Sequence, residues 1–334
     1  MKKIICFLLA ILIITAGAAA AENPPEDAAQ ELTFEYSARG QGIYRLGNTG
    51  YLVENCKDWM TKQNLENIRR TAREWNEAVP LGQDGILKYV YFIENSRSVR
   101  LDGDLSRENE VYTLIKECFE ADGFAALEID TPYEYLDWYY QTDHHWNYKG
   151  SYKGYCDLVR LIFGEDVELA IPAETVVFED MPYSGSYNEK LGYHKTDDLF
   201  TVYRFEGLPE YTYTSNGSKG ASKYGKMDKF FYGNHKKIAE NYYGQFYGGD
   251  PAELIIDTHQ PEKPNLLIIS TSFDNPLLHL LTKHYNIIYS LDSRFYESTF
   301  HKKFDIQKVI AKYSISHVVE VGDIQFFVHA YALH

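Results

Sequence analysis

Two short segments of this sequence hold side chains that can carry out acyl transfer. Residues 139–147 read YYQTDHHWN and place Asp143 two positions before His145, with His144 between them. In a turn, that spacing lets the Asp143 carboxylate accept a hydrogen bond from the His145 ring. Such a bond selects one imidazole tautomer and favours the imidazolium that forms in catalysis. Residues 268–276 read IISTSFDNP, where an apolar strand ends and a helix begins, and Ser272 lies at that junction. A serine there is exposed at the carboxyl end of a parallel strand, the usual location of active sites in α/β proteins. The first N–H groups of the following helix point to the same place and can hold an oxyanion. A neutral serine hydroxyl is a weak nucleophile and needs a nearby base, for which His145 is the candidate. Each segment also has a plain structural reading, as a hydrogen bond or a helix N-cap. Together they nominate Ser272, His145 and Asp143 as a catalytic triad.

The elements that must position these residues follow from periodicity. Leu65, Ile68, Ala72, Trp75 and Val79 recur at helical spacing until Pro80. Residues 88–94 (KYVYFIE) and 125–129 are strand candidates, separated by a helical stripe of Val111, Leu114, Ile115, Cys118 and Phe119. A third helix is expected from about Tyr148 to Phe163, with Gly164 as its C-cap. After Pro264 the alternation resumes. Residues 265–269 (NLLII) read as a strand buried on both faces, followed by a helix with Leu277, Leu280 and Leu281 inward. Residues 286–289 form a strand, Asp305 caps a helix, and residues 317–321 form a last strand. This pattern predicts an α/β fold, a parallel sheet flanked by helices. Between its halves, residues 165–262 lose helical periodicity and gain Tyr, Gly, Ser and Asp, as in a β- and loop-rich insertion. The expected organisation is a signal peptide (1–21), a lead segment (22–60), a first α/β part (61–164), the insertion (165–262) and a second α/β part (263–334).

Lys2 and Lys3 precede an apolar run and the small residues Ala18, Ala19 and Ala20, as in a signal peptide. The run is short for a membrane span, and the alternative is an uncleaved anchor at residues 4–21. Either reading places the body of the chain outside the cytoplasm: extracellular, periplasmic or on the cell surface. Beyond the signal, Cys56, Cys118 and Cys156 have no metal-binding spacing, and their odd number permits at most one disulfide. The chain carries 33 basic and 48 acidic side chains, a formal charge of −15, which disfavours nucleic acid and anionic lipid as partners. Its 29 tyrosines suit sugar faces but equally suit half-buried β-surfaces.

The Thr142–Trp146 segment TDHHW, followed by a Gly- and aromatic-rich helix, resembles the hallmark of the DHHW protein family. That family is related to the SGNH hydrolase-like domain of alginate O-acetylation proteins. Ser270, Thr271, Ser272 and Phe273 resemble the family's nucleophile element, residues 290–296 its Asp-Leu-Arg-Tyr element, and residues 183–187 (YSGSY) its Tyr-Gly-Ser-Leu-Tyr element. The likeness spans roughly residues 65–321. It implies an SGNH-like sheet and a triad of Asp143, His145 and Ser272. It also makes Gly185 and Asn275 candidate oxyanion donors, and Arg294, His144 and Trp146 candidate substrate contacts. Ser270 departs from the family pattern by replacing a glycine, and its side chain is expected to narrow the turn before the nucleophile.

The resulting expectation is an exported esterase or O-acetyltransferase acting on a carbohydrate or acylated polymer, with no cofactor. As a transferase it would receive its acyl group from a membrane partner. The alternative is a carbohydrate-binding or envelope-assembly protein with a decayed site. A metal site of Asp143, His144 and His145, with His194 as a fourth ligand, is disfavoured, because adjacent histidines seldom converge on one ion and no HxxxH or HExxH spacing is present.

Overall fold

The computed structural model describes residues 31–103, 105, 109–194, 196–220, 226–235, 238 and 241–329. The expected signal peptide and residues 22–30 of the lead segment lie outside them. From Thr33 the chain forms one compact unit. It begins with an antiparallel meander, β1 (Tyr36–Gly40), β2 (Ile43–Leu46) and β3 (Leu52–Glu54), then the short α1 (Cys56–Trp59). The helix expected up to Pro80 is α2 (Lys62–Ala78), and Thr61 caps it by accepting from the Asn64 N–H. There follow β4 (Leu87–Ile93), α3 (Glu110–Cys118), β5 (Gly123–Leu127), α4 (Pro132–Trp138) and α5 (Tyr148–Phe163). Helix α4 is absent from the periodicity reading, although its N-terminus carries a full capping box between Thr131 and Glu134 with Pro132 at the first turn. Gly164 ends α5 at φ 90, a region where a side chain would be strained.

The next stretch holds β6 (Pro172–Pro182), α6 (Ser186–Leu191), β7 (Leu199–Phe205), β8 (Thr212–Ser215), β9 (Ser218–Gly220), α7 (Met227–Tyr232) and α8 (Tyr242–Tyr247). The chain closes with β10 (Glu253–Asp257), β11 (Leu266–Ser270), α9 (Asn275–Leu281), β12 (Ile287–Asp292), α10 (Ser293–Phe300), α11 (Ile306–Tyr313), β13 (His317–Gly322) and α12 (Ile324–Val328). Among the described residues, no helix is long and apolar enough to cross a membrane. The thiols of Cys56, Cys118 and Cys156 are all free.

The main sheet runs β5-β4-β13-β11-β12-β10-β8-β9. The first five strands are parallel, and β10, β8 and β9 continue the sheet antiparallel. The stretch at 165–262 therefore supplies three strands of the main sheet, while β6 and β7 pair apart as a two-stranded ribbon. Alternate side chains of the parallel strands feed two cores. Tyr89, Tyr91, Ile93, Leu266 and Ile268 pack with Tyr155, Leu158 and Val159 of α5. Val90, Phe92, Leu267 and Ile269 pack on the opposite face with Ile68 and Trp75 of α2 and Ile115 of α3. Strands buried on both faces need apolar residues at every position, so β11 reads LLII before its terminal serine.

Two local devices hold the edge where the parallel strands end. Arg97, just past β4, is 3% exposed; its guanidinium pairs with Glu54 and, at 2.7 Å, with Asp323 after β13. This network ties the ends of β3, β4 and β13 together. Trp146 is fully buried against α5. A Cβ at Gly154 would stand 2.5 Å from a carbon of that indole, and one at Gly150 would stand 2.4 Å from the Trp138 carbonyl oxygen. The two glycines, one helical turn apart, form the bed on which the residue after His145 lies.

Candidate active site

Three segments far apart in sequence converge at the carboxyl end of β11. The loop between α4 and α5 brings Asp143 and His145. It is pinned by Asn147, whose side chain accepts from the Lys149 and Gly150 N–H groups as the N-cap of α5. The turn between β11 and α9 brings Ser272. The His145 Nε2 lies 2.6 Å from Ser272 Oγ, and His145 Nδ1 lies 2.7 Å from Asp143 Oδ1. The third segment leads into α6. The Ser186 N–H donates to Asp143 Oδ2 at 2.7 Å, and the Tyr183 hydroxyl donates to the same oxygen at 3.2 Å.

Electrostatics follow from these contacts. Burial alone would raise the Asp143 pKa, but the two histidines and the Ser186 N–H outweigh it and hold the carboxyl well below the usual range. Asp143 is therefore a permanent anion through the physiological range. His144 packs against the His145 ring at 3.9 Å between centroids, and its Nδ1 lies 2.8 Å from Ser186 Oγ. Burial and the neighbouring His145 push its basicity well below that of an ordinary histidine. On its other side His145 is stacked by Tyr243 at 4.2 Å, whose hydroxyl donates to the Ser272 carbonyl at 2.9 Å. The ring thus packs against His144 and Tyr243 and is hydrogen-bonded at both nitrogens. Asp143, His144 and His145 offer metal-ligand atoms within 4.8 Å of one another. An ion there would displace the hydrogen bonds that already occupy Asp143 and His145.

The remaining candidates fall elsewhere. The Gly185 N–H, expected at the oxyanion, donates instead to Thr142 Oγ1 at 2.9 Å. Gly185 sits behind the carboxylate, where a Cβ would stand 2.5 Å from Asp143 Oδ2. Asn275 is buried, and its side chain donates to Asp250 at 2.7 Å. Arg294, expected at substrate, pairs with Asp292 at 2.9 Å through Nε and with Asp250 at 3.3 Å. Trp146 packs edge-on to Phe273 rather than facing a cleft. Ser270 does not crowd the nucleophile turn, because its hydroxyl donates sideways to the Val321 carbonyl on β13 at 2.8 Å. Ser186, Tyr183 and Tyr243 were missed. The first two lie inside the YSGSY segment already singled out, whereas Tyr243 carries no signal that separates it from the other tyrosines.

A cavity of about 400 Å³ opens over Asp143 and His145, walled by Ser186, Glu189, Tyr193, His194, Asn241 and Tyr243. That volume suits a small ligand or one end of a longer one.

Beside the nucleophile, burial pushes the Asp274 carboxyl up to about 8, with Ser290 Oγ 2.7 Å from it and Asp292 and Asp250 nearby. A raised carboxyl binds its proton in the folded state, so ionisation costs stability as pH climbs from the unfolded value of about 4. Asp274→Asn keeps the shape and cannot ionise. Its thermal midpoint is expected to exceed the parent's by several degrees at pH 8 and by much less at pH 5. Equal midpoints at pH 8 would contradict a neutral buried Asp274.

The parallel sheet, its helical layers and the strand-end site define an SGNH-hydrolase-like α/β fold. Neither a protein-family model nor a curated protein matches the chain. Solved structures do. A DHHW family protein from Eubacterium siraeum DSM 15702 superposes with a TM-score of 0.65 at 17% identity, over 90% of this chain and 96% of that one. Bacillus cereus PatB1 gives a TM-score of 0.66 at 18% identity, over 85% of this chain and 96% of that one. The same protein with a sulfonyl adduct gives 0.63 at 17% identity, over 85% and 97%. The fold is thus shared with a member of the family that Thr142–Trp146 resembles.

Proposed function

We propose that this chain is an exported serine esterase or O-acetyltransferase acting on ester groups of an extracellular or cell-envelope carbohydrate. The observation that carries the reading is the unbroken relay from Asp143 through His145 to Ser272, with contacts of 2.7 and 2.6 Å. Ser272 Oγ attacks the ester carbonyl while His145 Nε2 takes its proton. Asp143 fixes the tautomer and stabilises the imidazolium. The oxyanion is assigned to backbone N–H groups of the turn carrying Ser272, because Gly185 and Asn275 are engaged elsewhere. His145 then returns the proton to the departing alcohol, leaving an acyl-serine. Water or a sugar hydroxyl, deprotonated by His145, attacks that intermediate and regenerates the serine. The transferase reading needs an acyl donor delivered by a membrane partner. A sulfonyl adduct is recorded for Bacillus cereus PatB1, a protein of this fold; sulfonyl halides are captured by activated nucleophiles.

The test is covalent labelling. Phenylmethylsulfonyl fluoride is expected to add one sulfonyl group, on the peptide carrying Ser272, and the His145→Ala chain is expected to stay unlabelled under the same conditions. Labelling that is absent, or equal in both chains, would remove the activated serine and leave a binding protein.

A further inference from the structure

The cleft over Asp143 and His145 carries a charge pattern suited to selecting a ligand. Resting on the acyl-transfer reading, we infer that this cleft accepts neutral or amine-bearing glycans and rejects polyanionic ones, with Glu189 as the specificity-determining residue. Glu189 stands exposed on α6, in the cleft wall. Among the described residues that line the cleft there is no lysine or arginine. Two of the described bases, Arg294 and Lys190, are turned to other work. Arg294 is held by Asp292 and Asp250. Lys190, beside Glu189 in sequence, reaches toward Glu54 at 3.8 Å and lies over the Tyr187 ring. The second carboxylate of the cleft, Asp143, is matched to His145.

The uncharged part of the wall suits a sugar. Tyr193 is 49% exposed and presents an aromatic face, while Ser184 and Asn241 supply neutral hydrogen-bonding groups. Rings and neutral donors recognise the apolar face and hydroxyls of a pyranose without requiring charge. A uronate or phosphate-bearing chain would instead bring its charge toward Glu189 with no lysine or arginine among the described lining residues to meet it. Like-charge juxtaposition of this kind is how a site discriminates against a wrong partner.

The experiment compares three acetyl thioesters of similar size: cationic acetylthiocholine, neutral S-acetyl-2-mercaptoethanol and anionic S-acetyl-3-mercaptopropionate. At low salt, kcat/KM is expected to be about tenfold higher for the cation than for the anion, shrinking in 0.5 M NaCl as screening shortens the field. Glu189→Gln is expected to lower that ratio at least threefold, and Glu189→Lys to invert it. A ratio that survives both substitutions assigns the preference to the net charge of −15 and overturns the role of Glu189. An anion turned over as well as the cation overturns the inference outright. A second arm separates this claim from the acyl-transfer reading. Calorimetric binding of a glucosamine tetramer and a galacturonate tetramer needs no turnover. If no thioester is cleaved, acyl transfer fails, and tighter binding of the glucosamine oligomer, weakened by Glu189→Lys, still sustains the selectivity. Equal or tighter binding of the galacturonate oligomer refutes it.

Discussion

Ser272→Ala is expected to lower kcat/KM for p-nitrophenyl acetate by about 10⁴-fold or more, and His145→Ala to lower it as far. The two losses should not multiply, because each removes the same relay. Ser272 Oγ is the proposed attacking atom, and His145 Nε2, the proposed base, lies 2.6 Å from it. The double variant is therefore expected to match either single one within about threefold. Both variants should fold. Ser272 is small, and its carbonyl, not its hydroxyl, bonds to Tyr243. Circular dichroism and thermal midpoints check that point. Turnover above one-hundredth of the parent in a folded Ser272→Ala chain would show that another group attacks the ester.

The second large effect is at the far end of the relay. Asp143→Asn should cost about 10⁴-fold in kcat with little change in KM, by imposing the wrong tautomer on His145. The argument is one of donors and acceptors. Asp143 Oδ1 receives the His145 backbone N–H at 2.9 Å as well as the ring at Nδ1. Oδ2 receives the Ser186 N–H and the Tyr183 hydroxyl. An asparagine must put its NH₂ on one of these sides, and each side is already crowded with donors. Facing Ser186 and Tyr183, the amide opposes two N–H or O–H groups. Facing His145, it makes Nδ1 an acceptor, moves the ring proton to Nε2, and denies Ser272 its base. Either choice also leaves a buried donor unmatched, a cost of about 1–3 kcal/mol in stability. NMR of the ring protons would report the tautomer directly. A folded Asp143→Asn chain with more than a tenth of parental kcat would show that Asp143 does not set it.

Much of this site could be read from residue order. Asp143 and His145 stood out by spacing, and Ser272 by its place at the end of an apolar strand. The elements carrying them followed from helical and strand periodicity at α2, β4, α3, α5 and β11. What escaped had physical reasons. Helix α4 is seven residues long and rich in tyrosine, so its stripe is too short to register, although its capping box was visible. Strand β10 reads ELIID like its parallel neighbours; its reversed direction depends on its partners rather than on its own residues. Gly185 was a candidate oxyanion donor whose position in space the sequence does not give. Its actual service is to have no side chain where Asp143 needs room. Arg294 could be read equally as a substrate contact or as half of a structural ion pair, and only folding shows the two carboxylates that hold it. Tyr243 reaches His145 through three-dimensional packing alone, which no local pattern encodes.

The order of the main sheet has a consequence for when the protein can first act. Within that sheet, β4 and β5 belong to the half that carries His145, and β11 and β12 to the half that carries Ser272. Strand β13 alone lies between the two halves, pairing with β4 on one side and β11 on the other. Among the described strands it also comes last in chain order. A nascent chain that has passed Ser272 but not reached β13 holds all three residues of the proposed triad, yet lacks the wedge that brings the halves into register. Its 127-residue separation between base and nucleophile is then an open loop whose closure carries an entropic cost without the sheet to offset it. The proposed reactivity thus waits on β13. A chain stopped before His317 would carry an intact set of catalytic residues and remain silent.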